Sequence, residues 1–354
     1  MKEIHADVNQ FPSLTWNFLN INRTHLDCAA EAEAEPDIKA VPGGIELTRS
    51  FEPCAVQTGL GAEFDARLDG VIGELRISPR MFTVSQDAQC APLKIEFSVS
   101  GNSVSDIVIS ARKNSRSTFL FVYRSLPELS GTFCFGSRIR VQAEEHAAVH
   151  IVTVNLLGEH AVHFNSIGAQ CADGAAAEVT ELELGGMQNF SGTFIELAGY
   201  GSRFAGRASY VVRNSSFLDM NQAVIHSGKN SQSRFSVDGV LAGSARKTWR
   251  GTIDFKTGCS GSSGDEQEEV LLLSPDVENK SLPVILCGEE AVEGRHGCSA
   301  GKVGLKELFY MQSRGADEQT VRRLLSRAKV EKSARFIPDE SLAEEVRGFA
   351  ERLV

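Results

Sequence analysis

No two cysteines in this sequence stand at C-x-x-C spacing; the eight are scattered at positions 28, 54, 90, 134, 171, 259, 287 and 298. Zinc ribbons and dithiol redox motifs need that spacing, and isolated thiols point instead to a reducing compartment. Long apolar runs are also missing. The most apolar stretches, Val149 to Leu157 and Val270 to Leu273, fall far short of the about 18 residues of a spanning helix, so no membrane partner is expected. Basic charge is in deficit, with 36 Lys and Arg against 46 Asp and Glu and a net charge of −10, which argues against nucleic acid as a partner. Two Trp and four Tyr make a sparse platform for stacking sugars. The opening Met-Lys-Glu-Ile-His-Ala-Asp is acidic where a secretory leader has a basic region before an apolar run. A cytoplasmic protein is expected.

What the chain does have is 354 residues with 42% hydrophobic content, enough for a sizeable core. Its texture divides it into an N-terminal lead-in over 1–61, a strand-rich core over 62–300 and a helical unit over 301–354. The lead-in holds the apolar cluster Phe11 to Asn22 and a polar stretch, Cys28 to Glu35, read as a flexible connection. In the core, Val149 to Val154, Ala161 to Phe164, Ala177 to Leu184, Gly192 to Leu197, Ser209 to Val212 and Ala223 to His226 follow one another without an intervening helix. That order excludes a doubly wound α/β sheet and leaves a sandwich, a barrel or a solenoid. Small residues at Gly185-Gly186, Gly199-Tyr-Gly201 and Asn214-Ser-Ser216 suit the tight corners of a β-helix. After Gly304 the period becomes helical, with Val321, Leu324, Leu325 and Ala328 on one expected face and Leu342, Val346, Phe349 and Leu353 on another. This end carries eleven Lys and Arg against nine Asp and Glu, which suits either an acidic partner or plain solvent.

The candidate sites are few. Gly297-Cys-Ser-Ala-Gly-Lys302-Val303 fails as a phosphate-cradling loop, being one residue short and having valine where a hydroxyl must meet magnesium, so no ATP is expected on this chain. His146 with His150, and His160 with His163, lack the context of a zinc site and read as structural histidines. His296 and Cys298, two apart on an extended segment, offer an imidazole and a thiol to one side. They fit iron or sulfide chemistry, and equally a polar turn with a space-filling cysteine. Carboxylates at Asp265-Glu266, Glu268-Glu269 and Glu289-Glu290 would serve sugar hydrolysis only if two faced one cleft.

Between Trp249 and Ala328 an ordered series appears: Gly251-Thr-Ile-Asp-Phe255, Leu271-Leu-Leu-Ser274, Leu282-Pro283, His296-Gly-Cys-Ser299, Leu308-Phe-Tyr-Met-Gln-Ser-Arg-Gly315 and Arg322-Arg-Leu-Leu325. This series resembles the SufB/SufD family of iron-sulfur cluster assembly scaffolds, and Leu14-Thr-Trp-Asn17 is similar to the element that opens its compact SufD-type members. Counting back without a gap from His296, the sulfur-accepting cysteine of SufB-type chains falls on Glu268. The glutamate that follows their histidine falls on Gly297. The chain therefore looks SufD-like.

The resemblance implies a mainly β fold, a right-handed parallel β-helix with a short N-terminal segment and a C-terminal helical domain. It implies a non-catalytic scaffold that pairs with a SufB-like subunit and docks a SufC-like ABC ATPase through the helical end, at Leu305, Leu308, Phe309, Arg314, Leu324 and Leu325. His296 would face iron or a transient iron-sulfur cluster at the subunit interface. Cys298 departs from the usual alanine, and a role for it is particular to this sequence. Two rivals stand beside this reading: a carbohydrate-active β-helix enzyme, and a homodimeric scaffold in which Cys259, Cys287 or Cys298 replaces the missing cysteine.

Overall fold

The computed structural model describes all residues except Leu14, Trp16, 50–53 and Val354, with side chains omitted also at Asn17, Leu305 and Glu307. The Leu14 to Asn17 element thus lies largely outside the described residues.

The chain opens with a hairpin of β1 (Lys2–Val8) and β2 (Thr24–Ala30), followed by the short β3 (Ala32–Glu33) and β4 (Pro36–Asp37), then β5 (Ile45–Arg49) and α1 (Ala62–Leu75). Sixteen strands come next. β6 (Arg80–Val84), β8 (Ser103–Ala111), β10 (Phe133–Ala143), β12 (Ala161–Cys171), β14 (Gln188–Leu197), β16 (Phe217–His226), β18 (Arg246–Phe255) and β20 (Glu278–Cys287) form one parallel stack. β7 (Leu93–Val99), β9 (Arg116–Ser125), β11 (Ala148–Leu156), β13 (Ala176–Glu183), β15 (Arg203–Val212), β17 (Gln232–Leu241), β19 (Ser263–Leu272) and β21 (Glu293–Lys302) form the other. Successive strands alternate between the two sheets, so each pair makes one coil of a parallel β-solenoid. Three helices end the chain: α2 (Leu305–Ser313), α3 (Glu318–Ala334) and α4 (Glu340–Arg352).

Alternation of side chains along each strand sends one set into the solenoid and the other out. In the early coils the inward set is aromatic: Phe97, Tyr123 and Phe135 lie with ring centroids 5.2–5.9 Å apart, and His163 stacks on Phe135 at 5.4 Å. Later coils carry polar groups inward. Glu181 accepts from Ser191 at 2.7 Å and from Gln222 at 3.2 Å, and Trp249 Nε1 donates to Gln222 at 2.5 Å. Burial without a cation raises the Glu181 carboxyl, and Glu183 beside it is pushed up to about 8.

Corners repeat where backbone enters the left-handed region. Asp87, Asn114, His146, Gly174, Gly201, Asn230 and Gly261 all have φ between 55° and 79°, and each donates its backbone N–H to a carbonyl one coil later, for the first six that of the residue just before the next corner residue, as in Gly174 N to Tyr200 O at 2.8 Å. His146 is therefore a corner residue, outside the strand that carries His150.

Both outer faces are covered. The hairpin and α1 pack on the even-numbered sheet, burying Ile4, Leu26, Phe64, Leu68 and Ile72 against Val104, Val162 and Phe164. Two buried charge clusters fasten them: Arg138 pairs with Asp106 and reaches Asp69 of α1 at 2.7 Å, and Asp219, paired with Arg250 at 2.7 Å, accepts from Asn9 and Thr24. The stretch read as a flexible lead-in is thus docked, and β3 and β4 pair with β8 and β7. The expected strand texture from Ala62 is instead α1, because Phe64, Leu68, Val71 and Ile72 have helical spacing that Gly70 and Gly73 disguise. On the odd-numbered sheet α3 and α4 cover Val152, Val154, Leu182, Val211 and Val240. No helix among the described residues is long and apolar enough to cross a membrane.

Candidate functional site at the open end of the solenoid

The last coil has a partner on one side only: β20 pairs with β18 and β21 with β19, and nothing among the described residues pairs with their outer edges. Such edges carry unmet N–H and C=O groups and invite a further strand. Pro283, which has no N–H, sits within β20, a position an edge strand tolerates.

His296 and Cys298 lie on β21, in register with Glu266 and Glu268 of β19. The two glutamates are buried on the inward side, whereas their partners form the exposed rim. His296 Nδ1 is 4.0 Å from Glu266 Oε1, an atom with no hydrogen-bond partner, and burial pushes the Glu266 carboxyl up to about 8. Glu268 is held by the Lys247 ammonium and accepts from Tyr210 Oη at 3.3 Å. Lys247 also donates to Ser281 Oγ at 3.2 Å. Partial burial and the Glu268 carboxylate push the Cys298 thiol up to about 11, so it is protonated near neutrality, and a bound metal ion would have to displace its proton. The chemistry offered at this rim is an exposed imidazole and an exposed thiol above two buried carboxyl groups, Glu268 paired with Lys247 and Glu266 favouring its protonated form, and the imidazole and thiol are a donor pair suited to iron and sulfide. Gly297 between them is tight: a Cβ there would lie 2.5 Å from Gln267 Oε1.

Glu268, on which the count back from His296 falls, is therefore half of an internal ion pair with Lys247. Neither Lys247 nor Tyr210 was expected at the site. An inward-facing lysine in an alternating strand reads as solvent-facing, and only the coil-to-coil register reveals its direction. Of the other thiols, Cys259 is buried against Ile253 and Phe255, and Cys287 is exposed on β20. The acidic run 265–269 splits between faces: Glu266 and Glu268 point in, while Glu269 is clasped outside by Lys329 and Lys332 at 2.9 and 2.8 Å and held down at about 2.

The remaining candidates lie beside this end. The side chain of Leu305 is outside the described residues. Leu308 lines a groove with Leu272, Val303 and Val321; Phe309, Arg314 and Leu324 are exposed, and Leu325 is half-buried. Arg314 lies over the Tyr310 ring at 5.4 Å, and Gly315, with φ 91°, closes α2 as a left-handed cap. Of the expected α3 face Val321, Leu324, Leu325 and Ala328, only Val321 is buried. Val321, Ser326, Val330, Ser333 and Ala334 face the sheet, because small serines let the helix approach closely, with Ser209 Oγ 2.7 Å from Ser333 Oγ. Leu324 is left outside. The histidine pairs do not converge: His163 is buried, donating from Nδ1 to the Phe135 carbonyl, and burial holds it down at about 4, while His160 is at an exposed turn.

The family model for the SufBD core domain of SUF system FeS cluster assembly matches residues 97–329. An iron-sulfur cluster assembly protein SufD of Bacillus subtilis is 27% identical over 157 residues, which are 44% of this chain and 36% of that protein. The SufBD family protein ABCI8 of Arabidopsis thaliana is 28% identical over 109 residues, 31% of this chain and 20% of that protein. The ycf24 protein of Trieres chinensis is 25% identical over 219 residues, 59% of this chain and 44% of that protein. The chain thus spans less than half the length of each of these relatives. With its solenoid, its ordered motifs and a match over most of its core, the chain belongs to the SufBD family of the SUF iron-sulfur cluster assembly system.

Proposed function

We propose that this chain is a SufD-like, non-catalytic scaffold subunit of a cytoplasmic iron-sulfur cluster assembly complex. The observation that carries the reading is the uncapped last coil, where two ten-residue edge strands surround His296 and Cys298. A SufB-like subunit adds its strands to β20 and β21, and His296 faces the iron or nascent cluster, which is cargo passing through the interface. The unit from residue 301 onward docks a SufC-like ABC ATPase through Leu305, Leu308, Phe309, Arg314, Leu324 and Leu325, of which Phe309 and Leu324 are exposed apolar side chains. The ATP is bound by that partner. Glu268, which cannot carry a persulfide, leaves sulfur acceptance to the other subunit.

Co-purification of the full chain with SufB-like and SufC-like partners, read by size-exclusion mass, tests this. A three-component complex is expected, and Phe309→Asp with Leu324→Asp should lose the ATPase while retaining the SufB-like subunit. Failure to bind either partner would overturn the reading, and a stable dimer of this chain alone that docks the ATPase would move it to the homodimeric scaffold. In the intact complex, His296→Ala should lower cluster yield at least about tenfold, in line with losses on removing metal-site groups.

A further inference from the structure

The outer face of the N-terminal hairpin carries a second constellation. Inward-facing Ile4, Ala6, Val8, Leu26, Cys28 and Ala30 are buried and fix the two strands against the solenoid, so the outward residues Glu3, His5 and Asp7 on β1 and His25 and Asp27 on β2 are displayed on a rigid ladder. Antiparallel register puts His5 opposite Asp27 and Asp7 opposite His25. One ligand atom each from His5, His25 and Asp27 lie within 4.8 Å of one another, the only such trio of metal-capable groups among the described residues.

From this geometry we propose that the hairpin binds one divalent transition-metal ion through His5 Nδ1, His25 Nε2 and the Asp27 carboxylate. Both ring nitrogens already converge on one oxygen: Asp27 Oδ1 is 2.6 Å from His5 Nδ1 and 3.1 Å from His25 Nε2. The opposite nitrogen of each ring meets its own carboxylate, His5 Nε2 with Glu3 Oε2 at 3.1 Å and His25 Nδ1 with Asp7 Oδ1 at 3.1 Å. Metal-binding histidines are commonly oriented in this way, with the far N–H donating to a carboxylate that fixes the tautomer and strengthens the near nitrogen as a ligand. Arg23 in turn holds Asp7 at 3.0 Å.

Two imidazoles and one carboxylate suit Zn²⁺, Fe²⁺, Co²⁺ or Ni²⁺ and not the all-oxygen preferences of Ca²⁺ or Mg²⁺. An ion about 2.0–2.2 Å from each ligand separates ligand atoms by about 3.3 Å, so seating it asks the two nitrogen–oxygen separations, 2.6 and 3.1 Å, to open by under about 1 Å. Water completes the shell on the exposed side. The site lies on the even-numbered sheet, apart from the rim at β21, and stands whether or not the scaffold reading holds.

The test uses the full chain, stripped of metal by chelation, with Cys287→Ser, Cys298→Ser and His296→Ala to silence the other end. Zn²⁺ titrated by calorimetry and Co²⁺ followed by visible absorption should each give one ion per chain. His25→Gln should weaken binding more than tenfold, and Asp7→Asn, which touches no ligand atom, about tenfold, within the range of outer-carboxylate effects. As a measurement free of substitution at the site, Zn²⁺ should shift the His5 and His25 imidazole resonances of the unaltered chain. Binding no tighter than in a His5→Gln, His25→Gln double variant, or resonances that do not move, would overturn the site and leave a solvated cross-strand charge cluster.

Discussion

Lys247 and Glu268 are both fully buried, and each is tolerable only because of the other: the low-dielectric interior penalises either charge alone, and their mutual attraction offsets that cost. Lys247→Met should therefore cost about 3–5 kcal/mol in denaturant unfolding, because it strands the carboxylate. Adding Glu268→Leu should return most of that loss, and a double variant as unstable as the single would place the stabilisation in packing instead of charge. Glu266 makes a different prediction. Its carboxyl is raised to about 8 against an ordinary 4.5, so the folded chain holds a proton that the unfolded chain has released between those values. Stability from this group is complete below about pH 4.5 and is lost as pH rises toward 8, at up to about 1.4 kcal/mol per pH unit. Glu266→Gln should remove that slope, so the melting temperatures of wild type and variant diverge on going from pH 5 to pH 8, with the wild type falling further. Parallel curves would show that the carboxyl ionises normally despite its burial.

At the level of strands and helices, the corner column explains both what could be read from the sequence and what could not. Gly199 to Gly201 and Asn214 to Ser216 were legible as corners because Gly and Asn enter the left-handed region at small cost. The repeat length was not legible, since paired positions are separated by as few as 26 residues, Val162 to Gln188, and as many as 32, Arg246 to Glu278. His146 at the same corner gives no compositional signal. Gly201 has open space where a Cβ would stand, so only its φ of 63° constrains it. Gly201→Val should destabilise by about 1–2 kcal/mol while Gly201→Asn stays within about half of that, the difference being left-handed strain. Equal effects would mean the corner relaxes. The α3 face was misread for a related reason: Ser326 and Ser333 do the packing that a hydrophobicity pattern assigns to leucines, which is why Leu324 is left exposed. His296 and Cys298 were visible as a same-side pair because strand alternation is local, but the carboxylates beneath them are about 30 residues earlier and appear only with the coil register.

For the molecule as a whole, the two ends of the solenoid are unlike: β5 lies antiparallel across the first coil, while the last coil presents its edges. The C-terminal helices begin beside that open end, yet they are not an appendage to it. α3 and α4 fold back along the odd-numbered sheet and bury a strip that includes Leu120, Val122, Val152, Val154, Leu182, Val211 and Val240. Lys329 and Lys332 tie α3 to Asp238, and Arg124 ties β9 to Glu345 of α4 at 2.5 Å. A chain ending at Gly304 would expose that strip as an apolar face, the kind of surface that drives association. It should bind a hydrophobic dye, aggregate, and melt well below the full chain, so its failure to bind the ATPase would say nothing about docking. Phe309 and Leu324 point away from the strip, and Phe309→Asp or Leu324→Asp should leave unfolding within about 0.5 kcal/mol, as surface changes do. Loss of the ATPase from those variants at unchanged melting temperature would locate docking on α2 and α3. A soluble truncated chain that melts like the full one would instead make the helices a separable module, contrary to the packing that joins them to six strands of one sheet.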